Sequence, residues 1–395
     1  MIKIKLRKNL IYLLIYFICA FVDYNILGIL LPQISGFDPI YICIFFYPLE
    51  NIIGGLVVFL YQKYSTRKKE KTQYFGIKLI HNKNEVARDG KFKKILLVFF
   101  AAYFNFYRFI VNVFTSVDYI NSSMDQKLTT IQIIISTILC IYVFKFKIKK
   151  HHKFSLIIIG IFLFLSISTD IIYIILYKYR NIKAPIFQYF ITLYYYMGYS
   201  FNNCIEKYLV DYNYMNPFII LMLEGIFEFI MASLCFIKIN PFKPFENIKC
   251  NLALFIFLFI LYTLLQVIVN IYRIYCNVIY SPMARSLIDY LMNPFINIFT
   301  FFAFDDFSSN FVYFIIIEIT SIVMSFFGCV FNEYIILYCC GLEQETQDEI
   351  ADRAIDSKSE SQNELKDIIS DIDNDANVRK SSTIISFDDY SSEMI

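Results

Sequence analysis

The chain has 395 residues, 58% of them apolar and 19% aromatic, with only 18% charged. Such a composition excludes an ordinary water-soluble globule and places the chain in the membrane class. The net charge of +2 hides an asymmetry, because residues 341–395 carry 15 acidic and 5 basic groups, so the first 340 residues carry +12, a basic membrane body with an acidic tail. No nucleic-acid partner is expected.

Crossing a hydrocarbon core of about 30 Å takes about 20 apolar residues in a helix. Ten runs meet or approach that length, over 9–32, 39–61, 94–117, 128–146, 154–177, 186–208, 217–237, 251–277, 284–304 and 309–338. Pro48 and Pro294 fall inside the second and ninth runs and are expected to kink them or open the backbone. With no Trp and 32 Tyr, tyrosine must supply the interfacial aromatic belt. With the N-terminus in the cytosol, the inner segments hold 22 Lys and Arg and the outer segments 7, which puts both termini on the cytosolic side. The fold class predicted is therefore all-α: a polytopic membrane protein of ten transmembrane helices.

The third and eighth runs share a polar pattern. Asn105, Tyr107, Arg108, Asn112 and Ser116 recur as Asn270, Tyr272, Arg273, Asn277 and Ser281, at a constant offset of 165. Asn105, Arg108 and Asn112 stand at i, i+3 and i+7 and share one helix face. Two flanking matches keep the order. Asp38-Pro39-Ile40 and Asn216-Pro217-Phe218 open the second and seventh runs at an offset of 178, and Tyr173–Tyr177 recurs as Tyr334–Tyr338 at 161. Five helices per half is an odd number, so the second half enters the membrane from the opposite side. The expected domains are a first repeat over 1–181, a second over 182–340 and a disordered, acidic cytosolic tail over 341–395. Inverted-topology repeats are a transporter signature, with the site near the bilayer midplane.

Ionisable groups inside the runs are costly and mark function by default. Arg108 and Arg273 are the expected substrate-binding cations, with Asn105, Asn112, Asn270, Asn277, Tyr107 and Tyr272 beside them. Glu224 and Glu228 share a face at i and i+4, and Glu50 lies 11 residues past Pro39 as Glu228 does past Pro217, so these three are counter-ion or proton sites. The alternative is that the two Arg are tied to these carboxylates as structural pairs. Ten Cys show no Cys-x-x-Cys and no Cys/His cluster, so neither a metal nor a disulfide framework is read, and no cofactor is expected. His151-His152 reads as a solvated pair in a basic loop, and Asn121-Ser122-Ser123 is a sequon on the outer side.

The stretch Asn202-Asn-Cys-Ile-Glu206-Lys207, followed by Asp211, Asn216-Pro217 and Leu223-Glu224-Gly225, resembles the sixth-to-seventh helix passage of the drug/metabolite transporter superfamily, nearest its nucleotide-sugar-transporter-like solute carriers. Ser281-Pro-Met-Ala-Arg285, with Asp289, resembles their eighth-to-ninth helix segment. The resemblance implies ten helices in a five-plus-five inverted repeat over 9–340, with the third and eighth lining a central cavity. The expected function is secondary-active transport of a small anionic organic metabolite by alternating access. No Gly-x-x-x-x-Gly-Lys-Ser/Thr loop is present for ATP. A receptor, lipid-handling or assembly protein on the same scaffold is the competing class. No enzyme is expected, since no Ser/His/Asp set or His-Glu-x-x-His occurs. The bilayer and the metabolite are the expected partners, with a homodimer and a cytosolic partner of the tail left open. An endomembrane (ER, Golgi or vacuole) is expected in preference to the plasma membrane.

Overall fold

A computed structural model describes residues 2–4, 10–23, 34, 36, 39–66, 73–74, 77–78, 88–115, 128–173, 175, 183–237, 248–303, 311–338, 341–342 and 346. The protein is predominantly helical: α1 (Leu10–Val22), α2 (Pro39–Thr66), α3 (Lys91–Thr115), α4 (Ile131–Phe144), α5 (Lys150–Tyr173), α6 (Lys183–Asp211), α7 (Pro217–Cys235), α8 (Leu252–Ile279), α9 (Pro282–Leu291), α10 (Asn293–Ala303) and α11 (Phe311–Phe331). Short strands add β1 (Ile2–Ile4), β2 (Gln73–Tyr74), β3 (Ile77–Lys78) and β4 (Ile335–Leu337). The tail beyond Thr346 and the Asn121 sequon lie outside the described residues.

Among the described residues, four helices are long and apolar enough to cross a membrane: Lys150–Thr169, Pro217–Cys235, Leu252–Ile279 and Phe311–Phe331. At 28, 25 and 29 residues, α2, α3 and α6 have the length but carry more polar groups, whereas α1 and α4 are described over 13 and 14. Burial differs from that of a water-soluble globule, with large apolar side chains outside as well as inside and several charges buried. Phe164, Phe257 and Val312 are 61–74% exposed, while Glu206, Glu224, Glu228 and Arg273 are 0–2% exposed. Apolar side chains outside and charges inside are what a hydrocarbon solvent selects.

The local chemistry explains most helix ends. Asn216 accepts the Phe218 amide at 2.9 Å ahead of Pro217, Asn251 accepts that of Ala253 at 3.0 Å, and Ser281 accepts that of Ala284 at 3.0 Å ahead of Pro282. Each is an N-cap, and two have Pro at the first helical position. The ninth run is two helices, broken at Met292. Pro294 has no N–H for the Tyr290 carbonyl four residues back, which instead lies 3.5 Å from the Ser325 hydroxyl. Pro48 behaves otherwise, and α2 runs through it unbroken.

Two expectations need correction. Residues 334–338 do not continue the last helix: α11 ends at Phe331, Glu333 turns the chain with a positive φ of 59°, and Ile335–Leu337 pairs antiparallel with Ile2–Ile4. The second Tyr-Ile-Ile-Leu-Tyr copy is thus a strand, with β-branched residues meeting a partner strand, and it does not match a helix end. Nor is His151-His152 solvated. Helix α5 starts at Lys150, and its first turn packs under α11, with the His152 ring 4.8 Å from that of Phe331 and both histidines at most 5% exposed.

Helix packing has a regular plan. Helix α2 packs on α7, α5 on α11 and α4 on α6 and α9, while α3 packs on α6 and α7, and α8 on α1 and α2. The α2–α7 crossing is antiparallel and close: Gly55 faces the Phe218 carbonyl and Met222, and Gly225 faces the Pro48 carbonyl and Ile52.

One end of the bundle gathers the segments that the Lys and Arg count assigns to the cytosol. Arg88 donates its amide to the Tyr212 carbonyl at 3.1 Å, Tyr212 packs on Phe144, Phe146 packs on His152, and β1 pairs with β4. At this end Asp89 closes a latch onto α6. It accepts from Lys93 Nζ at 2.6 Å, Tyr208 Oη at 2.9 Å and Asn213 Nδ2 at 3.0 Å, and its amide donates to Asn213 Oδ1 at 2.8 Å.

The Lys93 ammonium first, then the Asn213 and Tyr208 donors, hold the Asp89 carboxyl down to about 2. A depressed carboxyl stabilises the fold fully above its unfolded value of about 3.9, and that stability is lost as pH falls toward the folded value. Asp89→Asn is therefore expected to lower the melting temperature at neutral pH and to flatten its decline between about pH 4 and pH 2. An unchanged melting-temperature profile would show that the latch carries no stability.

Candidate functional site

Asn105 of α3 and Arg273 of α8 meet adjacent turns of α7. Asn105 Nδ2 donates to Glu228 Oε1 at 2.9 Å and lies 2.8 Å from the Tyr47 hydroxyl. Asn51 of α2 donates to the other Glu228 oxygen at 2.7 Å. One turn before Glu228, Glu224 Oε2 meets Arg273 Nη2 at 3.4 Å, and Arg273 Nη1 reaches Glu206 Oε1 on α6 at 2.6 Å. Asn277 completes the set, its Nδ2 donating to Glu206 Oε2 at 2.9 Å and to the Asn203 carbonyl at 2.7 Å. Every member is fully buried except Tyr47, which is half-buried. In such surroundings charge-assisted bonds are strong and an unpaired group is costly.

The structure thus brings together Asn105, Arg273, Asn277, Glu224 and Glu228. Asn270 is buried nearby on α8, but its amide nitrogen has no hydrogen-bond partner. Glu50 is buried beside Asn51, and neither of its carboxyl oxygens has one. Tyr107 and Tyr272 face away from the network. The Tyr107 ring lies 4.5 Å from that of Tyr194 on α6, and Tyr272 packs among α1 residues. Each precedes an Arg by one residue, about 100° around the helix, and so meets a neighbouring helix instead. Arg108 and Asn112 lie on α3, but their side chains are outside the described residues.

Some members were not singled out in the sequence as site residues. Glu206 is the tighter partner of Arg273; the signal for it is Asn203 and Glu206, three residues apart on one face of α6. Arg285 is a second buried cation, paired with Asp289 and the Tyr199 hydroxyl, with its guanidinium carbon 4.5 Å from the centre of the Tyr16 ring. Arg285 and Asp289 are i and i+4, a helical ion-pair spacing. Lys207 donates to the Val278 carbonyl at 2.6 Å, which Pro282, four residues on, leaves without its helical N–H donor.

No protein-family model matches the chain, and no curated protein does either. The functional reading therefore stands on the internal geometry.

Proposed function

We propose that the protein is a secondary-active transporter of a small anionic organic metabolite, working by alternating access between two inverted five-helix halves of a ten-span fold, with both termini cytosolic. The packing plan supports the two halves. Exchanging each helix with the one five places along, with α9 and α10 counted as one, maps α2–α7, α5–α11 and α4–α9 onto themselves. The same exchange maps α3–α6 onto α8–α1, and α3–α7 onto α8–α2, whereas α4–α6 has only a slight counterpart in α9–α1. Even the repeated tyrosines obey it, Tyr107 meeting α6 and Tyr272 meeting α1.

The observation that carries the reading is an asymmetry within that plan. Asn105 bonds Glu228, and the counterparts of these two residues are Asn270 and Glu50. In that second copy the Asn270 amide nitrogen and both Glu50 oxygens have no hydrogen-bond partner. One copy of a repeated contact is made and the other unmade, as in a protein whose halves exchange conformations. The substrate anion engages Arg273, entering at the looser Glu224 contact while Glu206 keeps the guanidinium in place. Glu50, Glu224 and Glu228 then serve as counter-ion or proton positions.

A second reading has one specific observation in its favour. Arg273 is 2% exposed and held by two carboxylates at once, as in a fixed scaffold for a receptor, lipid-handling or assembly protein. Liposomes containing the purified chain, screened for uptake or exchange of nucleotide sugars, nucleotides, sugar phosphates and amino acids, separate the two. Uptake of an anion is the expected result, and none of any class would leave the scaffold.

A further inference from the structure

We propose that His151, His152 and Glu333 form a binding site for a divalent transition metal of the zinc class, which clamps the start of α5 to the turn after α11. The residues come from two places: the histidines from the first turn of α5, and Glu333 from the turn between α11 and β4. All three are buried, and their potential ligand atoms lie within 4.8 Å of one another. Imidazole with carboxylate is a zinc-type donor set rather than a calcium or magnesium one.

His151 is the strongest pointer. It is 3% exposed, yet neither ring nitrogen makes a hydrogen bond. Its Nε2 lies 3.3 Å from Glu333 Oε1. Buried polar groups without partners call for an explanation, an unplaced ion among them. Beside this imidazole is a cavity of about 10 Å³, lined by His151, Glu333, Thr346, Val330 and Ile336, among others. That volume suits a single atom-sized occupant. The second imidazole stands against the first, with ring centres 4.0 Å apart.

Two groups of Lys149 compete with a metal. Lys149 Nζ lies 3.8 Å from Glu333 Oε1, and the Lys149 amide donates to His152 Nδ1 at 3.1 Å. The lysine side chain is 19% exposed and can turn to water when a divalent ion takes the carboxylate. His151 and Glu333 therefore bind first, and His152 completes the set by giving up the amide. Because β4 begins two residues after Glu333 and pairs with β1, a metal here would fasten α5, the end of α11 and the strand at the start of the chain together.

The test uses the full chain purified in detergent and stripped by a chelator, titrated with zinc and, as a control, magnesium. Bound metal and melting temperature are the readouts. Wild type is expected to bind one zinc per chain at micromolar or tighter affinity, and to gain melting temperature with zinc but not with magnesium. His151→Gln and Glu333→Gln are each expected to weaken binding by about tenfold or more, while His81→Gln does not. If a ligand variant fails to fold, Lys149→Gln decides: it keeps every ligand, removes the competing ammonium and must tighten zinc. Absence of saturable binding in wild type, or binding as tight in Glu333→Gln, or no tightening in Lys149→Gln, overturns the proposal and leaves a plain His–Glu contact.

Discussion

Arg273→Ala is expected to cost about 3–5 kcal/mol of stability, because it strands Glu206 and Glu224 as buried charges without their cation. Both functional readings share that outcome, so stability alone does not choose between them. Arg273→Lys does choose. Lysine restores the charge and keeps the fold, but its compact ammonium lacks the fork that holds Glu206 on one nitrogen and leaves the other for a substrate anion. Losing one charge-assisted bond of about 1.5–3 kcal/mol lowers transport by about tenfold or more. A stable Arg273→Lys protein without uptake supports the transporter; full uptake by the same variant means that Arg273 is scaffolding. As a control, Arg273→Met combined with Glu206→Met should be less destabilised than Arg273→Ala, since an apolar pair leaves one stranded carboxylate instead of two.

How much of this was legible in the sequence varied with the range of the interaction involved. Long apolar runs placed α2 to α8 within about five residues at each end, because a 20-residue stretch needs only local hydrogen bonds to become a helix, while the last run overshot its helix end at Phe331. The two Arg copies and the Glu224–Glu228 face were visible for the same reason, as helical spacing within single elements. The strand at Ile335–Leu337 was not. Its residues extend an apolar run, and only the left-handed turn at Glu333 and a partner strand at the other end of the chain make it a strand. The burial of His151 and His152 likewise depends on α11 and its turn, about 180 residues away in sequence. Glu206 as the tight partner of Arg273 is a contact between α6 and α8 that no spacing within either helix announces.

The α2–α7 crossing is where the two proposed halves meet most closely, and Gly→Ala substitutions there should destabilise the protein. A Cβ built on Gly55 would lie 2.6 Å from the Phe218 carbonyl oxygen and 2.8 Å from the Met222 amide nitrogen. One on Gly225 would lie 2.7 Å from the Pro48 carbonyl oxygen and 2.8 Å from the Ile52 amide nitrogen. Those neighbours are helix backbone and cannot rotate aside, so the helices must separate. Separation would stretch the contacts that hang from this crossing, including the Asn51–Glu228 bond at 2.7 Å. Gly160 on α5 provides the contrast, since nothing lies within 4 Å of a Cβ there. In a helix interior with open space, Gly→Ala is expected to stabilise by about 0.5–1 kcal/mol. Gly55→Ala and Gly225→Ala should each destabilise by about 1–3 kcal/mol, the range for overpacking, while Gly160→Ala raises the melting temperature slightly. Detergent melting of the three variants checks the set. Small-residue crossings let helix backbones approach closely in a membrane without a hydrophobic drive. If both crossing variants melt like wild type, α2 and α7 are not in backbone contact, and the close meeting of the halves goes with it.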